Sequence, residues 1–265
     1  MRTNVIVSGI VCSLLLFCVN TNSQPFAADQ YAHGDPPYLL ESGWIPLLNG
    51  KDMSGWSCLD EKKSDSWTAT KGIYWNYPEN PRQLIAVSKS GDRIVNTVRS
   101  DGASNILSLK KTGDMELYME FMIPETSNSG VYVHGLYELQ IWDSYGKEPR
   151  LQTDKTGALY HYKGGPINGI DGQVIPSVRA ERPHGQWNSY HIWFQAPRFD
   201  TAGKKIGNAR FLRVLLNGEL IHENQERLGP TTAAPEIAEA TENPVVMLQG
   251  DHGAVAFRNI YVKPL

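Results

Sequence analysis

The sequence predicts an all-β protein, a jelly-roll-like sandwich of antiparallel strands, and three observations carry that expectation. Met115 to Met122 alternates strictly, with Met115, Leu117, Met119 and Phe121 on one face and Glu116, Tyr118, Glu120 and Met122 on the other. Asn217-Gly218 separates two strand-like runs, Arg210–Leu216 and Glu219–His222, and Asn-Gly tolerates the positive φ of a tight hairpin. Helical periodicity of any length is missing, and only Ala233–Ala240 offers a short turn of helix. Short strands punctuated by Gly, Pro and Asn read as two packed sheets.

The elements follow in order. Residues 43–56 give a short apolar strand, a turn at Asn49-Gly50 and a second at Ser54-Gly55 that presents Trp56. Gly130–His134 and Tyr137–Trp142 are strand candidates separated by Gly135, and Ser189–Gln195, Val245–Gln249 and Ala254–Val262 follow. Residues 143–188 are rich in Gly and Pro; a loop of that length within a domain is functional or disordered, and Tyr160, His161 and Tyr162 favour an ordered wall of a cleft.

Val5 to Val19 is an apolar run after Arg2, followed by Thr21-Asn22-Ser23, the pattern of an export signal over residues 1–23. The run is shorter than the ~20 residues of a membrane span. Residues 24–42 read as a flexible lead-in and 43–265 as one domain, exported to the periplasm or beyond. Cys12 and Cys18 leave with the signal, so Cys58 has no internal partner and reads as a small buried residue. A formal net charge of −3, with no basic stripe, argues against nucleic acid and anionic membrane surfaces as partners and favours a small, weakly charged ligand.

The chemistry concentrates on Tyr137–Asp143. On a strand, Glu138, Gln140 and Trp142 share a face about 7 Å apart, offering a carboxylate, an amide and a stacking ring as a sugar would need. His134 stands four residues upstream, beyond Gly135, and could move a proton near neutral pH. Glu120 is a third acid on a neighbouring strand. Gly250-Asp251-His252-Gly253 exposes a polar turn in which Asp251 could orient His252, and Arg258 among apolar residues calls for a buried carboxylate or carbonyls.

Four places also resemble the 3-keto-disaccharide hydrolase family, formerly a domain of unknown function. They are Gly43–Trp56; Asn128-Ser129-Gly130 with Tyr137–Asp143; Gly157-Ala158-Leu159-Tyr160 with Gly185-Gln186-Trp187-Asn188; and Leu248-Gln249 through Ile260. The Arg198–Asn208 region reads as a longer hairpin than is usual there. The resemblance implies a concanavalin A-like jelly roll and action on glycosides already oxidised at C3. A ketone at C3 acidifies the C2 hydrogen, so a base can form an enolate that expels the group on C1, and water then adds back. This implies Glu138 or His134 as base, Glu120 as acid, and Gln140, His252 or a divalent cation as enolate stabiliser. Trp142, Asp143, Tyr160, His161 and Gln249 would bind substrate. No ligand spacing of a zinc-ribbon or metalloprotease type is present. Two rivals share the fold class: a noncatalytic lectin-like carbohydrate-binding module, and a laminarinase-type endoglucanase, whose Glu-x-Asp-x-x-Glu strand is approximated by Glu138-x-Gln140-x-x-Asp143.

Overall fold

The computed structural model describes residues 35–265 apart from residue 78, residues 99–101 and residue 149. Residues 1–23, expected to be an export signal, lie outside the described residues together with their Cys12 and Cys18. Among those described, no helix is long and apolar enough to cross a membrane.

The strands of two antiparallel sheets are β1 (Ile45–Pro46), β2 (Trp56–Cys58), β3 (Trp67–Thr70), β4 (Arg93–Asn96), β5 (Ile106–Ser108), β6 (Met115–Met122), β7 (Asn128–Val133), β8 (Tyr137–Trp142), β9 (Asn188–Gln195), β10 (Ala209–Leu216), β11 (Glu219–Arg227), β12 (Val246–Leu248) and β13 (Val255–Pro264). The eight-stranded sheet runs β11-β10-β9-β6-β13-β4-β3, with β1 also on β13, and the five-stranded sheet runs β8-β7-β12-β5-β2. Between them lies one apolar core. Met115, Leu117, Met119 and Phe121 enter it from one side, and Val131, Val133, Leu139 and Ile141 from the other. The alternation on β6 therefore sorts faces as read, because a strand's side chains alternate about its plane.

Asn217 (φ 51°) and Gly218 (φ 86°) form the expected hairpin turn, and β11 runs on to Arg227. The longer hairpin is a small ladder of Arg198–Phe199 with Lys205–Gly207. No helix forms at Ala233–Ala240. A 3-10 helix spans Glu61–Ser66 instead, opened by the Asp60 side chain accepting from Lys62 N. Cys58 is only half-buried, its Sγ donating to Ser64 O at 3.8 Å. From residue 35 the lead-in is docked rather than loose: Tyr38 stacks on Tyr261 at 3.9 Å, and Glu41 pairs with Lys263.

Candidate active site

The outer face of the five-stranded sheet forms a grid. Tyr132 lies opposite Glu138 and Met247, and Gly130 opposite Gln140. Gln249 N donates to Gly130 O at 3.0 Å, which continues the ladder past β12. Beyond β8, residues 157–160 add a ribbon: Leu139 bridges Leu159, Gln140 N donates to Ala158 O at 2.9 Å, and Gly157 N donates to Gln140 O at 2.8 Å. That register sets Tyr160 across from Glu138, between whose strand and β12 lies Tyr132.

Glu138 occupies the centre and is 3% exposed. Its carboxyl lies over Gly130, where an added Cβ would approach the carboxyl oxygen more closely than a real Cβ does. Glycine at 130 is thus the space the carboxyl fills. Burial pushes Glu138 up to about 8; the Tyr132 hydrogen bond and the His252 charge oppose this, Asp251 adds to it, and Arg227 opposes it. Gln249 Nε2 donates to the Tyr132 hydroxyl at 3.4 Å, while its buried Oε1 has no partner among the described residues. His252 Nδ1 contacts Asp251 Oδ1 at 2.7 Å, and Asn105 Nδ2 donates to Asp251 Oδ2 at 3.2 Å. Burial tends to raise Asp251, yet His252 and Asn105 hold it below the usual range.

Arg227, fully buried, braces this arrangement from behind. Its Nη2 donates to Tyr160 O at 2.8 Å, its Nη1 to Gly172 O at 2.5 Å, and its guanidinium lies 4.5 Å from the Tyr162 ring centroid. It therefore fixes the ribbon that presents Tyr160. His161 packs against Tyr160, with ring centroids 4.4 Å apart and the planes tilted by 35°. Trp142 stands at the half-buried end of the same face, opposite Asn128.

A family model described as "3-keto-alpha-glucoside-1,2-lyase-like domain" matches residues 43–263. The chain belongs to this family. Two crystal structures of proteins described as "putative glycosyl hydrolase" from Parabacteroides distasonis ATCC 8503 share its fold. One is 24% identical, with 84% of each chain covered and a TM-score of 0.59. The other is 19% identical, covering 84% of this chain and 94% of that one, with a TM-score of 0.54. The carbohydrate-binding module CBM66 from Bacillus subtilis, 13% identical, superposes more loosely over 81% of this chain and 97% of that one, with a TM-score of 0.40. No curated protein matches.

In this 3-keto-alpha-glucoside-1,2-lyase-like chain, Glu138, Gln140, Tyr160, Gln249 and His252 come together on one face, with Trp142 at the rim. Three other candidates stand apart. His134 is fully buried on the core side: its Nε2 contacts Gly113 O at 2.9 Å, its ring lies 4.8 Å from Phe194, and burial lowers its pKa to about 4. It does not share the Tyr132 face because the chain turns left-handed at His134 (φ 57°), ending the alternation at Val133. Glu120 lies on the outer face of the opposite sheet. Arg258 Nε donates to it at 2.6 Å, Asn259 Nδ2 at 3.0 Å and Tyr118 OH at 3.1 Å. Of the two partners expected for Arg258, a buried carboxylate or carbonyls, it is the carboxylate, and Trp187 of the Gly185-Gln186-Trp187-Asn188 motif covers that guanidinium at 4.0 Å. Asp143, with its side chain 1% exposed, faces inward: it accepts from Thr126 N at 2.7 Å and Lys147 Nζ at 2.5 Å, and contacts His184 Nδ1 at 3.0 Å. Burial opposes ionisation of Asp143, but these three partners lower its pKa overall.

The sequence reading missed Tyr132 as the neighbour of Glu138, Gly130 as its space, Arg227 as the brace and His184 beside Asp143. Tyr132 and Gly130 were legible from β7 pairing with β8. Arg227 and His184 had no local signal. Among the described residues no group of three or more His, Cys, Asp or Glu could hold a metal ion, so this face offers a cation no ready set of ligands.

Proposed function

We propose that this protein is an exported enzyme that cleaves 3-keto-glycosides by elimination at C1 and rehydration. The observation that carries the reading is Glu138, a deeply buried carboxyl with its pKa raised to about 8, set among Tyr132, Tyr160, Gln249 and His252. A base this strong is suited to removing a carbon-bound proton, and a value near working pH lets it take the proton and return it.

Glu138 takes the C2 proton, and the electron pair moves into the C2–C3 bond as the ketone becomes an enolate. The enolate collapses, forming a C1–C2 double bond and expelling the oxygen on C1. His252, oriented by Asp251, gives the leaving oxygen its proton. Water then adds at C1, giving up a proton that restores His252, and Glu138 returns its proton to C2. Gln249 and Gln140 hold the sugar's hydroxyls, Tyr132 keeps the Glu138 carboxyl in place, and Trp142 supplies an apolar rim. A laminarinase-type pair of carboxylates finds less support, since Gln140 supplies an amide and Asp143 is taken up by three internal partners.

Purified protein is given a 3-keto-glucoside and its unoxidised parent, with and without a chelator. Release of the leaving group from the keto compound alone is expected, with kcat/KM rising with pH through about 8 as Glu138 loses its proton. Glu138→Gln lowers turnover by at least about a hundredfold with an unchanged near-UV circular dichroism spectrum. Sugar binding without release from either compound would instead support the carbohydrate-binding reading.

A further inference from the structure

Beside the Glu138 face, a pocket of about 100 Å³ opens between the loop at Glu125–Ser127 and the loop at His252–Ala254, with Arg82 on its wall. Two features show that its walls are held in a fixed shape. Thr126 sits at φ 59°, a left-handed conformation that a β-branched residue rarely adopts. Its N–H is anchored on Asp143, which Lys147 and His184 hold in turn. Ser127 Oγ donates to Ala254 O at 2.6 Å, which fastens one loop to the other. Gly253 permits the approach, since a Cβ there would lie 2.9 Å from Asn128 N.

The lining is chemically paired. Arg82 is exposed and Glu125 half-buried, and among the described residues neither is in an ion pair. The pocket thus counts among its lining residues an arginine, a planar donor, and a glutamate, an acceptor. His252 belongs to both places: it lines this pocket, and its charge acts on Glu138.

We propose that this pocket is the leaving-group subsite of the Glu138 site, where Arg82 and Glu125 recognise hydroxyls on a sugar leaving group. The inference rests on the 3-keto-glycosidase reading above. At about 30 Å³ per water the volume takes two or three polar groups, which is the hydroxyl-bearing edge of a ring. Hydroxyls that both give and accept hydrogen bonds satisfy Arg82 and Glu125 together. A nitrophenyl leaving group has no donor for Glu125 and only weak nitro acceptors for Arg82, and a site built to hydrogen-bond a hydroxyl discriminates against an analogue that lacks it.

The test uses two substrates with the same 3-keto-glucosyl unit, one carrying glucose and the other 4-nitrophenol as leaving group. Arg82→Ala and Glu125→Gln should each lower the ratio of kcat/KM for the disaccharide over the nitrophenyl compound at least tenfold, mostly through KM. A ratio unchanged within twofold in both variants overturns the proposal. If the wild type releases neither leaving group, the Glu138 reading fails, and the pocket is judged by titrating methyl glucoside while following chemical shifts. Shifts at Thr126 and Gly253 that vanish in Arg82→Ala retain it as a sugar-hydroxyl site; their absence in the wild type overturns it.

Discussion

Glu138 and Gly130 show how one missing carbon sets the chemistry of a site. The carboxyl is buried because β7 leaves a hole beneath it, and burial, rather than a neighbouring acid, dominates its raised pKa. Gly130→Ala is expected to push the carboxyl aside and lower turnover at least tenfold. The same variant should move the rising limb of the pH–rate profile towards the ordinary carboxylate range, as the displaced group meets water. A profile unchanged in both height and position would separate the glycine from the site. Glu138 itself was legible, since its place beside Gln140 and Trp142 follows from strand alternation. Its pKa was not legible, because desolvation depends on what covers the residue and no stretch of sequence states that.

At the scale of elements, alternation is reliable only while a strand lasts. It placed Met115–Phe121 in the core and Glu138 and Gln140 outside it, because a pleated strand admits no other arrangement. It failed one residue beyond β7, where His134 turns left-handed and drops its ring against Phe194. It also could not say which sheet carries which strand. Glu120 lies on β6, in the sheet opposite β8, and is held by Arg258. Glu120→Ala should therefore leave turnover per folded molecule within twofold of wild type. Stability in a urea titration should fall by about 3–5 kcal/mol, the cost of leaving a buried partner unpaired. A loss of turnover without loss of stability would return Glu120 to the chemistry.

Across the whole molecule, Glu138 couples the site to folding. Its pKa is raised from an ordinary 4.5 to about 8 in the folded state, so the folded protein holds that proton more tightly than the unfolded chain does. The resulting stability is fully present below about pH 4.5 and is lost as pH rises through about 8. Melting temperatures of the wild type and Glu138→Gln should diverge over that window, the wild type losing ground towards high pH. The ceiling is about 1.4 kcal/mol per unit of pKa difference. Parallel curves would show that the carboxyl is not desolvated in solution.

The sequence by itself determined the all-β class, the faces of the long strands and the shared face of Glu138, Gln140 and Trp142. Each of these follows from local rules of turn chemistry and alternation that act within a few residues. Only the tertiary structure decided that Gly130 lies beneath Glu138, that Arg227 braces Tyr160 across 67 positions, and that Arg82, Glu125 and His252 share one pocket. The order β8-β7-β12-β5-β2 makes neighbours of segments far apart in the chain. Burial, and the proton affinity that burial sets, arises from that neighbourhood and not from any single strand.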